Sequence, residues 1–118
     1  MAQEEVIGTI RRYLSVLQAH GIAARRAVLF GSWARGQQRA DSDIDILVVS
    51  PAFDEAASDR VRLEGELWGL TPEVDPRLQP IGVGEKQYAT DDVLPILEIA
   101  RREGIEIEAE VPSRAQGA

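Results

Sequence analysis

The spacing of apolar residues changes period along the chain. In residues 3–20, Val6, Ile7, Ile10, Tyr13, Leu14 and Leu17 recur at three- and four-residue steps. That spacing predicts an amphipathic helix stopped at Gly21. Residues 25–30 form a short apolar run and predict a first strand, entered past Arg25 and Arg26 and left at Phe30. Residues 32–42 are polar and too short for a full helix. One helical turn over Ser32 to Arg35, then a loop broken by Gly36, fits them. Residues 43–49 predict a second strand, almost wholly apolar after its two carboxylates, as in a central strand covered on both faces. The short connection favours antiparallel pairing of the two strands.

Beyond Ser50 and Pro51, residues 54–70 read as a helix with Leu63, Leu67 and Leu70 on one stripe, flanked by Val61 and Trp68. The Trp68 ring is expected in the core. A helical crossover returns the chain parallel to the strand it left, so residues 73–78, EVDPRL, predict a third strand. Pro76 confines it to an edge or bulges it just after Asp75. Residues 79–90 read as a loop, with a short extended piece near residues 81–83. Residues 92–103 predict a last helix capped by Thr90 or Asp91, with Pro95 tolerated in its first turn. After Gly104, Ile105, Ile107, Ala109 and Val111 alternate with Glu106, Glu108 and Glu110. That is a half-buried strand at a sheet edge or an oligomer contact. The expected organisation is one domain over residues 1–111 and a disordered tail over residues 112–118.

Composition narrows the classes. A chain of 118 residues, 44% hydrophobic, suits one compact domain with a modest core. Cysteine is absent, which excludes disulfides, a thiolate metal site and a cysteine nucleophile. The net charge is −7 and Lys86 is the single lysine, so a long polynucleotide is a poor partner. An acidic surface suits a basic protein partner instead. No apolar run approaches the ~20 residues of a membrane span. Glu4 and Glu5 stand where a signal peptide would be basic and then apolar. The expectation is a soluble, cytoplasmic protein.

The chemistry concentrates in residues 31–49. Gly31-Ser32 follows the first apolar run; after ten intervening residues comes Asp43-Ile44-Asp45, then the second run. Alternation puts Asp43 and Asp45 on one face of a strand. Two carboxylates that close repel, and a cation between them relieves the repulsion. Oxygen-only ligands suit Mg²⁺ or Mn²⁺. Gly31 lets the backbone approach a ligand, and Ser32 opens a short helix whose free N–H groups face an anion. A phosphate cradle beside a metal-binding pair points to a nucleoside triphosphate. The crossover brings Asp75 toward the pair if the register allows. An Asp pair at a strand start is commonly only a solvated turn; the Gly-Ser context argues for the metal. Arg35 reads as a phosphate ligand or as the partner of a nearby acid, and Trp33 as a side chain packed on the sheet.

Gly31-Ser32, the ten-residue interval, Asp43-Ile44-Asp45 and the later Asp75 resemble the signature of the polymerase-β-type nucleotidyltransferase superfamily. Within it, the short chain and the form GSWARG…SDIDILVV are similar to the minimal nucleotidyltransferases, often encoded beside a HEPN-domain protein. The resemblance implies an α/β (α+β) fold, a mixed sheet with helices packed on it, and two-metal nucleotidyl transfer. It implies that Asp43, Asp45 and Asp75 ligate two Mg²⁺ ions, with Asp75 helping to deprotonate an acceptor hydroxyl. It also implies that Gly31 and Ser32 hold the β/γ-phosphates of ATP or another nucleoside triphosphate, joined by Arg35, Arg39 and Ser42. Two such ions about 3.5–4 Å apart stabilise both the attacking and the leaving oxygen. The implied reaction transfers AMP from ATP to a tyrosine of a HEPN-type toxin, making this chain an antitoxin. The alternatives are an antitoxin that works by occlusion and an enzyme acting on a small acceptor, as antibiotic nucleotidyltransferases do. A homo-oligomer is also compatible with the alternating residues 105–111.

Overall fold

The computed structural model describes residues 3–39, 41–54, 59–90 and 94–109. Its centre is a four-stranded mixed sheet in the order β3-β2-β1-β4. The strands are β1 (Arg26–Phe30), β2 (Ile44–Val49), β3 (Leu78–Val83) and β4 (Ile105–Glu108). β1 runs antiparallel to β2 and to β4, while β2 and β3 are parallel. Among the described residues, five α-helices surround it: α1 (Gln3–Ala19), α2 (Ser32–Arg35), α3 (Arg60–Leu70), α4 (Glu85–Thr90) and α5 (Pro95–Glu103).

Period-two alternation sorts the sheet into two faces. Ala27, Leu29, Ile44, Ile46, Val48 and Leu78 point to one, against Ile10, Leu14 and Leu17 of α1 and Leu63 and Leu67 of α3. Val28, Leu47, Val49 and Val83 point to the other, against Tyr88 of α4 and Leu97 and Ala100 of α5. This double cover is why β2 is apolar at every position from Ile46 to Val49. Tyr13 ties α1 to α3 through its hydroxyl, which donates to the Leu67 carbonyl at 2.6 Å.

The first helix, the first two strands, the single helical turn at Ser32–Arg35 and the antiparallel pairing stand as the sequence predicts. Pro95 occupies the first turn of α5, also as predicted. Four expectations are corrected. The helix of residues 54–70 begins at Arg60; Pro51–Asp54 is a 3-10 turn, and residues 55–58 lie outside the described residues. The third strand is not residues 73–78 but Leu78–Val83. Pro72 starts a 3-10 turn at Thr71–Glu73, and the Asp75 carboxylate then accepts the Arg77 backbone N–H at 2.9 Å. An Asp that bonds the backbone two residues on builds a turn, and that turn delays the strand. Residues 79–90 are not a loop: they finish β3 and form α4. Asp54 caps α4 from 32 residues away, accepting the Lys86 N–H at 3.0 Å. Trp68 is 44% exposed rather than in the core. Trp33, by contrast, is buried as expected.

β3 is an edge strand, which is why it tolerates Pro80. On the same outward side, Gly82 donates its N–H to Glu64 at 3.0 Å and its carbonyl accepts from Arg60 at 2.8 Å. Side chains of α3 thus occupy the backbone groups that an open edge would expose. β4 is the edge strand expected from the alternation; residues 110–111 and the proposed tail of residues 112–118 lie outside the described residues, as does Asp91. No described helix is long and apolar enough to cross a membrane.

Candidate active site

The site lies where β1 ends and β2 begins. Antiparallel register sets Phe30 opposite Asp45, so the residue after Phe30 faces the Asp45 carboxylate. That residue is Gly31, with φ 76° and ψ −153°. This conformation is essentially reserved for glycine. Its face is also filled: a Cβ there would stand 2.5 Å from Asp45 Oδ2. Two requirements, backbone and space, therefore fix glycine at this position. The Gly31 carbonyl accepts the Ala34 and Arg35 N–H groups at 3.1 and 3.2 Å, which folds the chain into α2. Ser32 is the first residue of that turn. Gly36 ends it in the left-handed conformation at φ 72°.

Trp33 locks α2 to the loop that leads to the carboxylates. Its indole is buried, and its N–H donates to the Ser42 carbonyl at 3.4 Å. Ser42 spends its hydroxyl on the Arg39 backbone N–H at 2.7 Å and returns its own N–H to the Arg39 carbonyl at 3.0 Å. Ser42 and Arg39 are thus joined as one turn immediately before Asp43, and the Arg39 side chain is exposed.

Asp43 is exposed and Asp45 half-buried. Burial pushes the Asp45 carboxyl above its ordinary value of 3.8, the charge of Asp43 pushes it further, and Arg35 pulls it back. The pair is therefore short of positive charge, and an oxygen-only, partly desolvated pair of carboxylates fits a hard divalent cation. Arg35 itself lies between two acids, since its other neighbour is Glu103 at 3.9 Å. Both side chains of that pair are close to half exposed, and such a pair holds the guanidinium weakly.

Asp75 is placed differently. It sits in the turn before β3, where Arg77 grips it: Nη2 lies 2.7 Å from Oδ2 and Nε 3.1 Å from Oδ1, beside the backbone bond already described. Those bonds hold its carboxyl below the ordinary range. The Arg77 guanidinium also lies over the Trp33 ring, 5.8 Å from its centre. Asp75 and Arg77 thus brace the indole that positions α2. Among the described residues, no three His, Cys, Asp or Glu side chains converge as a metal-binding group. The structure thus brings Gly31, Arg35, Asp43 and Asp45 together, with Ser32, Arg39 and Ser42 in the adjoining turns, and leaves Asp75 in its own ion pair.

Two residues outside the sequence-based set belong to this description. Arg77 is the brace. Gln79 is the β3 residue registered beside Asp45. Gln79 was hidden by the strand boundary: with β3 begun at residue 73, the pattern of buried Leu78, Gln79 and buried Pro80 is not recognisable as a strand with an inward-facing polar position.

Residues 10–110 match the model of the nucleotidyltransferase domain. Over 59 residues the chain is 48% identical to a protein of Methanocaldococcus jannaschii provisionally named a protein adenylyltransferase. That match covers 48% of this chain and 58% of the relative, so the chain spans little more than half the length of that protein. Among solved structures, a provisionally named nucleotidyltransferase from Sulfolobus solfataricus superposes with a TM-score of 0.59 at 18% identity, over 88% of this chain and 80% of that one. A toxin–antitoxin structure with AMP-PNP superposes with a TM-score of 0.55 at 18% identity, over 93% of this chain and 78% of that one. The family match spans most of the chain and settles one assignment: the chain belongs to the nucleotidyltransferase domain family.

Proposed function

We propose that this protein transfers AMP from ATP to a hydroxyl of a partner protein, and so acts as an antitoxin. The observation that carries the reading is the Asp43–Asp45 pair, short of positive charge, with Gly31 giving the Asp45 carboxylate the space that a Cβ would take. Asp43 and Asp45 would hold Mg²⁺, which when bound supplies charge for the triphosphate and the departing pyrophosphate. Gly31 and Ser32 line the phosphate end, and Arg35 approaches it from α2. Arg39 and Ser42 shape the turn beneath. Asp75, held by Arg77, stands apart from this set. The acceptor is proposed to be a tyrosine of a HEPN-type toxin, on the strength of the family resemblance. The relative named for protein adenylylation and the toxin–antitoxin neighbour support the choice of a protein acceptor.

The position of Asp75 favours one second reading, in which the chain binds nucleotide and neutralises its partner by occlusion without turnover. Labelled ATP, Mg²⁺ and the partner encoded beside this chain separate the two. Label on the partner, absent with Asp43→Ala/Asp45→Ala, supports transfer. Inhibition of the partner with no label sinks transfer in favour of occlusion.

A further inference from the structure

Resting on the nucleotidyl-transfer reading, we propose that Gln79, and not Asp75, is the third-strand donor of this site, and that the chain binds one divalent cation with its nucleotide rather than two. The register carries the argument. In the parallel β2–β3 pair, Ile44 lies beside Leu78 and Asp45 beside Gln79. Leu78 shares the apolar face of Ile44, while Val83 shares the opposite face with Leu47 and Val49. By alternation Gln79 stands on the face of Asp45, one strand away, a spacing of about 4.8 Å. The pairing is fixed just upstream, where the Ile44 N–H donates to the Arg77 carbonyl at 2.8 Å. Gln79 is half-buried between buried Leu78 and Pro80, and its amide makes no hydrogen bond among the described residues. An amide in that state is free to meet a ligand. Asp75 is four residues upstream, beyond a turn, with both carboxylate oxygens on Arg77.

The chemical consequence follows from the side chain. A glutamine offers a neutral carbonyl oxygen, which a hard cation accepts, but it carries no charge and takes up no proton. Asp43 and Asp45 balance the charge of one divalent ion. A second ion held by the chain would need a further carboxylate at the Gln79 position.

The test counts bound Mn²⁺ by electron paramagnetic resonance, with a non-hydrolysable ATP analogue at saturation and folding checked by circular dichroism. Wild type and Asp75→Asn are expected to bind one Mn²⁺ per bound nucleotide, and Gln79→Glu two. Gln79→Ala is expected to keep one, held about 10-fold more weakly. Two ions in wild type, or one in Gln79→Glu, overturns the proposal while leaving nucleotidyl transfer standing. If Asp75→Asn does not fold, the two Gln79 variants decide alone. Failure of wild type to bind either Mn²⁺ or the analogue overturns the proposal together with the reading beneath it.

Discussion

Asp45 and Asp75 are the same side chain in opposite electrostatic conditions. Asp45 loses water to burial, faces Asp43, and has only the partial compensation of Arg35. Asp75 is also half-buried, yet it is gripped by Arg77 through backbone and side chain. The first carboxylate lowers its free energy by meeting a cation from outside; the second already has one. Being an Asp near this end of the sheet therefore does not by itself leave a carboxylate short of positive charge. The charge left unbalanced after folding is what distinguishes a site from a brace.

The sharpest way to break this comparison is Asp45→Asn. Transfer to the partner is expected to fall about 10²–10³-fold, the loss typical of a preorganised charge at a reacting centre. In EDTA the same variant is expected to melt no lower than wild type, because a half-buried charge beside a like charge has gone. A lower melting temperature in EDTA would mean that Asp45 is structural after all.

Asp75→Asn should behave in reverse. It leaves the Arg77 guanidinium with a weaker partner and loosens its hold over Trp33. Charged hydrogen bonds of this kind are worth about 1.5–3 kcal/mol, and urea unfolding should register a loss of that order. Mn²⁺ affinity is expected to change little. Gly31→Ala comes next, at about 1–3 kcal/mol of stability for the backbone conformation alone. Its Cβ also displaces the Asp45 carboxylate, so nucleotide binding should weaken as well, as read by calorimetry.

The two carboxylates also predict distinct pH windows. Asp45 has a folded value above 3.8, so its protonated form favours the fold and that contribution is lost as pH rises through the folded value. The stability gap between wild type and Asp45→Asn should therefore open above pH 3.8. Asp75 has a folded value below 3.8, so its contribution is present above 3.8 and lost as pH falls through the folded value. The gap between wild type and Asp75→Asn should close below pH 3.8. Thermal melts across pH 2–7 in the absence of metal check both; windows that coincide would remove the distinction drawn here.

The same contrast marks what the sequence made legible. Gly31, Asp43 and Asp45 are fixed by local features: two apolar runs, a short polar connection and period-two alternation. Each survives translation into structure because antiparallel neighbours with a short link have almost no freedom of register. Asp75 is joined to them through a crossover helix, and an error there propagates. Reading EVDPRL as strand missed that the Asp75 side chain turns the backbone at Arg77, and that moved β3 by five residues, from a start at 73 to one at 78. Gln79 was lost in that shift. α4 was invisible for a related reason, since its cap is Asp54, far away in sequence. Trp68 follows the helical stripe of α3 only at its margin, so periodicity alone misplaced it.

The finest test concerns Arg35, which touches the comparison from the other side. Its charge lowers the Asp45 carboxyl while that of Asp43 raises it. Carboxyl carbon shifts of Asp45, followed by NMR titration without metal, should move to higher pH in Arg35→Gln and to lower pH in Asp43→Asn. The Arg35 effect is expected to be the smaller, because its guanidinium is nearly half exposed and shared with Glu103. Solvent screens such a charge, and only a desolvated phosphate would draw its full effect. Repeating the titration with Glu103→Gln should therefore shift Asp45 downward, as Arg35 is released toward it. An Asp45 titration unmoved by either Arg35→Gln or Glu103→Gln would remove Arg35 from the site and leave the carboxylate pair to be balanced by the incoming cation alone.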